Sequence, residues 1–377
     1  MSTPLKKSER RGMNFFASRA PSAQGLTGTA YGLSPHAPTC GAASGRTPAT
    51  NCKRVGPPFV AGNVILLIAL VAILFLSFPT QVLATRYAGE PFSLGIGARP
   101  LGRGGAYVAA FGDASSVFWN PAALVDPSAA QLVVMHAETF GALLNHDVVG
   151  FVWPGRENSR FAFGAMFYYL GGGGIAITDF DTLAQRPYVL ETRGHGDYML
   201  GTSVACRAGD NWSWGVTGKF ILRDIAAETA YGIGLDAGAR WQPLGWAAVG
   251  MKIADVTGTY LAYNTGTTET IVPHVNWGGQ ADYVRKDWTL TGAAEAETFF
   301  ENRRIGSQYW AGSVSVDTHF GLEVGYRRLV FGRIGADVGR FTAGLGARLW
   351  RWDLDLAFLN HEELDNSYRI SLGYRFR

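Results

Sequence analysis

From residue 131 onward, apolar and polar positions alternate with a period of two, most clearly at the end of the chain. Tyr368, Ile370, Leu372, Tyr374 and Phe376 share one face, and Ser367, Arg369, Ser371, Gly373 and Arg375 share the other. Successive side chains of a β-strand point to opposite faces, so this period predicts a strand. Two preceding runs repeat it: Phe341, Ala343, Leu345, Ala347 and Leu349 alternate with Thr342, Gly344, Gly346 and Arg348, and Trp352, Leu354, Leu356 and Phe358 alternate with Asp353 and Asp355. A soluble sandwich would alternate as well. An aromatic residue at an end of each apolar face is instead the girdle of a membrane interface.

The same pattern places strands at 131–137, 148–153, 161–170, 197–207, 212–222, 231–241, 246–254, 272–284, 288–297, 308–316, 320–327, 341–349, 352–358 and 368–376. The expected fold is all-β: a 14-stranded antiparallel transmembrane β-barrel. Connections after even strands are short (154–160, 208–211, 242–245, 285–287, 317–319 and 350–351). Those after odd strands are longer (138–147, 171–196, 223–230, 255–271, 298–307, 328–340 and 359–367). Bacterial outer-membrane barrels have short periplasmic turns and longer outer loops, and this sorting puts both ends of the barrel on the periplasmic side. The polar face carries Lys219, Asp236, Arg240, Asp282, Glu295, Glu297, Glu323, Arg327, Arg348, Asp353, Asp355, Arg369 and Arg375. Strand seven is open in phase, because Lys252 shares a face with Trp246.

Ahead of the strands, 95–124 reads GIGARPLGRGGAYVAAFGDASSVFWNPAAL and has little regular period. Gly102, Gly104 and Gly105 permit positive φ and close backbone approach, so the segment can fold tightly in a confined space. Asp113 is an expected N-cap for a short helix over 114–119. Asn120 followed by Pro121 is an expected N-cap and first helical residue for 122–124. The Gly95, Gly97 and Gly102 spacing is not a dinucleotide site, since no apolar strand precedes it and no long helix follows. Gly97, Arg99, Gly102, Gly104, Gly105, Asp113, Trp119, Asn120 and Pro121 together make a motif that resembles the N-terminal segment of outer-membrane proteins related to the FadL-type transporter and the PorV/PorQ secretion factors. The resemblance implies that this segment lies inside the barrel as a hatch, or plug.

The N-terminal part adds targeting. Residues 1–54 are polar and basic without apolar periodicity, and read as disorder or an overlong start. Residues 55–84 read as a signal peptide: Lys53 and Arg54 precede an uncharged apolar run over 64–78, and Val82 and Ala84 suit cleavage after Ala84. A transmembrane helix would need about 20 apolar residues. The expected domains are therefore a leader, a hatch segment at 85–130 and a barrel at 131–377. Cleavage removes Cys40 and Cys52 and leaves Cys206 alone. It also leaves 25 basic against 29 acidic residues in place of the whole-chain charge of +3, which excludes an electrostatic case for nucleic-acid binding.

No catalytic or metal-ligating constellation stands out, and nothing calls for a cofactor. His136, His146 with Asp147, His195 with Asp197, and His361 with Glu362 and Glu363 read as solvated loop residues. Asp353 and Asp355 are expected to pair with Arg348 and Arg369 across strands. Tyr260, Leu261 and Tyr263 with Phe299 and Phe300 could form an outer patch that captures an apolar ligand, or could be interfacial aromatics. Tyr374 and Phe376 form the expected barrel-assembly signal, although Arg377 follows where the family ends on phenylalanine. The resemblance implies transport of hydrophobic, fatty-acid-like molecules across the bacterial outer membrane, with a PorV-like role in protein secretion or surface attachment as the alternative. The expected partners are outer-membrane lipid and lipopolysaccharide, the barrel-assembly machinery, and a hydrophobic ligand or secreted protein.

Overall fold

A computed structural model describes residues 89–377, apart from 140, 142, 157, 158, 227, 305, 361–365 and 377. The expected leader, its cleavage site, His361, Glu362, Glu363 and Arg377 lie outside the described residues. The strands are β1 (Gln131–Thr139), β2 (Leu144–Trp153), β3 (Phe161–Asp181), β4 (Arg186–Ala208), β5 (Trp212–Ile225), β6 (Glu228–Leu244), β7 (Ala247–Ala254), β8 (Thr259–Tyr263) and β9 (Thr268–Ile271). They continue as β10 (His274–Arg285), β11 (Trp288–Phe299), β12 (Tyr309–Ala311), β13 (Val314–Tyr326), β14 (Val330–Asp337), β15 (Arg340–Leu349), β16 (Trp352–Leu359) and β17 (Ser367–Arg375). Antiparallel pairing runs from β1 through β7 to β10, β11 and β13, then through β14 to β17. β17 returns to β1, with Gln131 opposite Arg375 and Glu138 opposite Tyr368, which closes a barrel of 14 strands. The hairpin β8–β9 extends the wall on β6, and β12 lies against β13.

Burial runs opposite to that of a soluble protein. On β17, Tyr368, Ile370 and Leu372 are exposed while Ser367, Arg369 and Ser371 are buried. The same inversion holds on β13, where Phe320, Leu322 and Val324 face out and Asp317, His319 and Glu323 face in. A charged Lys or Arg on the lipid face costs about 2–4 kcal/mol at midplane, so confining charge to the lumen fixes the register of each strand. Trp153, Trp212, Trp241, Trp246, Trp288 and Trp352 are exposed at one rim, where Trp212 stacks on Trp241 across strands at 5.7 Å. This aromatic rim and the apolar wall above it make the barrel a membrane-spanning one. The rim lies at the end that holds both the hatch connection and the C-terminus.

The strand count agrees with the sequence pattern, but two strands differ in place. The expected turn at 317–319 is the middle of β13, and the expected outer loop 328–340 contains β14. The reason is the lumen: Asp317, His319, Arg333 and Asp337 look like loop residues in sequence but point inward to polar partners. Outer connections are also not uniformly long, since β3 and β4 continue as a ribbon to a turn at 182–185. Lys252 faces the lumen, and Trp246 lies in the turn before β7, which fixes the phase of that strand. Arg327 is not on the polar face of a strand, because it sits exposed in the turn after β13 and pairs with Asp287.

Candidate functional site

The segment before β1 crosses the lumen. It contains α1 (Ala98–Leu101), α2 (Ser116–Trp119) and the tight helical turns Glu90–Phe92 and Pro121–Val125. α1 packs against β15, β16 and β17, whereas Pro121–Val125 packs against β3, β4, β5 and β6, on the opposite side of the ring. Ile96, Ala98, Tyr107, Val108, Val117 and Leu124 are fully buried between these walls. Gly104 has φ of 71°, and a Cβ there would run into the carbonyl oxygens of Phe320 and Ala336, so glycine is required for both conformation and space. Gly97 and Gly105 also have positive φ, but Gly102 is right-handed at −65° and is small because it meets Gly344 of β15.

The caps differ in part from the expected ones. Asn120 Oδ1 accepts the Ala122 amide at 3.0 Å with Pro121 at the first helical position. Its Nδ2 donates to the carbonyls of Val108 at 2.7 Å and Ala239 at 3.2 Å, so one buried side chain starts a turn and ties the hatch to β6. The helix near Asp113 starts at Ser116 rather than at 114. Asp113 instead accepts the Ser115 amide at 2.8 Å and the Tyr107 hydroxyl at 2.6 Å. Burial pushes the Tyr107 phenol well above its usual range, which keeps it a donor. Trp119 donates its indole N–H to the Ile96 carbonyl at 2.9 Å and joins the two ends of the hatch.

Wall side chains complete the seating. Glu295 of β11 accepts the amides of Tyr107 at 2.7 Å and Val108 at 2.8 Å. Arg99 donates to both carboxylate oxygens of Glu323, at 3.3 and 3.2 Å, and Glu323 also binds Arg333, which continues to Asp355. Arg103 bonds Gln280 at 2.6 Å, and Arg240 bonds Asp126 at 2.6 Å. Lys252 donates to the carbonyl of Phe118 at 2.6 Å, at the C-terminal end of α2 where a cation suits the helix dipole. The hatch is therefore a plug held to the wall by directional polar bonds.

Beside the hatch lies a cavity of about 550 Å³. Val117, Phe118 and Trp119 of the hatch form one apolar side with Met166, Met199 and Ile221 of the wall. The rest of the lining holds several charged pairs. Lys219 binds Asp236 at 2.7 Å, His274 binds Glu297 at 3.1 Å, and His319 binds Asp337 at 2.9 Å.

Of the residues expected in an outer capture patch, some face outward and some inward. Tyr260 and Phe300 are exposed, Leu261 is buried in the core, and Tyr263 donates to Glu269 at 2.8 Å. Phe299 lines the cavity beneath Arg303, with the guanidinium 4.1 Å from its ring. Tyr374 and Phe376 lie at the closing seam with rings 5.0 Å apart, and Phe376 meets Phe151 of β2 at 6.3 Å. His146 is wholly buried rather than solvated, and Asp355 pairs with Arg333 rather than with Arg369. The sequence reading missed the wall glycines that face the hatch, among them Gly215, Gly238, Gly250, Gly321, Gly335 and Gly344. Their signal is a glycine at an inward position of an otherwise apolar-alternating strand.

Solved structures share this architecture. The toluene transporter TbuX of Ralstonia pickettii gives a TM-score of 0.50 at 13% identity, over 76% of this chain and 100% of its own. The P. putida toluene transporter TodX gives 0.51 at 10% identity, over 75% of this chain and 99% of its own. No protein-family model matches the chain, and no curated protein matches it by sequence. The structural likeness shows that this chain shares the fold of these two proteins.

Proposed function

We propose that this chain is an outer-membrane transporter that carries hydrophobic small molecules through its barrel past a movable hatch. The observation that carries this reading is the composition of the cavity wall. Val117, Phe118 and Trp119 belong to the hatch, so any shift of the hatch changes the apolar surface a ligand would occupy. A volume of about 550 Å³ lies within the ordinary range of small-molecule sites and is far too small for a folded protein, which favours transport over a secretion role. The shared fold of two proteins named as toluene transporters supports the same reading. In this account the tryptophan rim and both ends of the barrel face the periplasm, and ligand enters from the loop end.

The test is uptake by cells that lack a hydrophobic-compound channel of their own. With the chain in the outer membrane, labelled toluene or dodecanoate should enter faster than in cells with an empty vector. Rates no higher than in the empty-vector cells for both compounds, with the barrel shown to be assembled, would remove the transport reading.

A further inference from the structure

At the tryptophan-rimmed end, three consecutive turns are joined backbone to backbone into one arc. The Arg327 amide of the β13–β14 turn donates to the Asp287 carbonyl of the β10–β11 turn at 2.6 Å. The Leu329 carbonyl accepts the Arg348 amide at 2.6 Å, and the Arg351 carbonyl of the β15–β16 turn accepts the Arg375 amide at 2.9 Å. Tight hairpin turns need left-handed backbone, which glycine and asparagine adopt at least cost. Two turns on the other half of this end follow that rule, with Gly155 at φ of 80° and Gly209 at 73°. The arc does not: its left-handed positions hold Lys286 at 54°, Arg327 at 52°, Arg328 at 57° and Trp350 at 58°. Positive φ strains any side chain, so turning the chain does not account for these residues.

Charge and place account for them instead. The carboxylates of the arc are engaged, since Asp287 pairs with Arg327 and Asp353 is shared by Arg348 and Arg375. Arg285, Lys286 and Arg328 are exposed and, among the described residues, make no ion pair. Arg285 continues the outward phase of Tyr283, so it stands on the lipid face of β10. Trp288, Leu329 and Val330 are exposed beside these cations, and the Trp288 ring lies 4.8 Å from Tyr326 across the strands. Cations set directly against an aromatic, apolar belt suit the phosphate and the acyl chains of one molecule. A soluble acidic partner would match the charge and leave the exposed wall unused. We propose that this arc binds an anionic phospholipid of the leaflet at that end, with Arg285, Lys286 and Arg328 on the phosphate and the wall beside Trp288 against the acyl chains. The site rests on the barrel's spanning a membrane and is independent of what passes through the lumen.

The experiment measures, by native mass spectrometry, the binding of dioleoylphosphatidylglycerol and dioleoylphosphatidylcholine to protein purified from outer membranes in mild detergent. The two lipids share their tails and differ in net headgroup charge. The glycerol lipid should bind about tenfold tighter, as expected when a few surface cations share one anionic headgroup. Lys286→Asn with Arg328→Asn, a residue that suits left-handed turns, should remove that preference and leave binding of the choline lipid unchanged. Arg156→Asn with Arg160→Asn, which takes as much charge from exposed positions on the other half of the same end, should keep it. Equal affinity of the unaltered protein for the two lipids would overturn the proposal, in favour of a soluble anionic partner, even if the first variant failed to assemble. A preference that survives in the first variant, or falls as far in the second, would overturn it too. So would displacement of the glycerol lipid by inorganic phosphate at equal concentration, which would show an anion site with no part for the acyl chains.

Discussion

Gly104 of the hatch and Gly335 of β14 meet backbone to backbone, because a Cβ on Gly335 would lie against the Gly104 amide nitrogen. Main chain on main chain leaves no side chain that could adjust, so a small enlargement of the wall must displace the hatch. Gly335→Val is expected to destabilise the protein by about 1–3 kcal/mol, the usual cost of overpacking. It should also raise the conductance of the barrel in planar bilayers. A variant with unaltered conductance and unfolding midpoint would show that the contact is slack.

Glu323 is shared by Arg99 of the hatch and Arg333 of the wall, and it is buried. Glu323→Gln leaves two guanidinium groups without their shared anion and is expected to cost about 3–5 kcal/mol. Adding Arg99→Met to that variant removes one orphan charge and should return part of the loss. Denaturant unfolding of the single and double variants checks this, and simple additivity would contradict a shared anion.

Much of this arrangement could be read from the chain before its structure. The outward faces of β15, β16 and β17 are pure period-two patterns, and Asn120 with Pro121 announces its own cap. The region from 308 to 340 is not legible in the sequence because its inward residues are shaped by the hatch and by cross-strand pairing, not by a local rule. Asp317 and His319 resemble a turn, and Arg333, Gly335 and Asp337 resemble a loop, until Gly104 of the hatch is seen against His319 and Gly335, and Glu323 is seen opposite Arg333 on the neighbouring strand. Long-range pairing also decides Arg369. Strand adjacency suggested Asp355 as its partner, but Arg333 takes that carboxylate and Arg369 turns to His146.

Asn120 performs two separable tasks, capping and anchoring. Asn120→Ser should keep the bond to the Ala122 amide and lose the reach to Val108 and Ala239. Asn120→Ala should lose both and be less stable than the serine variant by about 0.5–2 kcal/mol. Amide exchange across 116–125 should rise in both variants, more in alanine. Equal exchange in the two would show that the cap contributes nothing.

Phe376 closes the β17–β1 seam, where its amide donates to the Ala130 carbonyl at 2.8 Å and its ring meets Phe151. Phe376→Ala should lower the yield of heat-modifiable barrel in the outer membrane. Because the backbone bond survives the change, the loss should fall on assembly more than on the stability of barrels that do form. An unchanged yield would place the assembly signal elsewhere.

If a hydrophobic molecule passes only when the hatch moves, a reversible lock on the hatch stops it. A Cβ at Gly201 of β4 would lie 3.4 Å from Val117 Cγ1, which places a Val117→Cys, Gly201→Cys pair within reach of a disulfide between hatch and wall. The measurement is uptake of labelled dodecanoate by cells carrying this pair with Cys206→Ser, before and after reduction. The account predicts that the oxidised protein takes up none above the vector control and that reduction restores uptake. Full uptake through a quantitatively cross-linked hatch would contradict it.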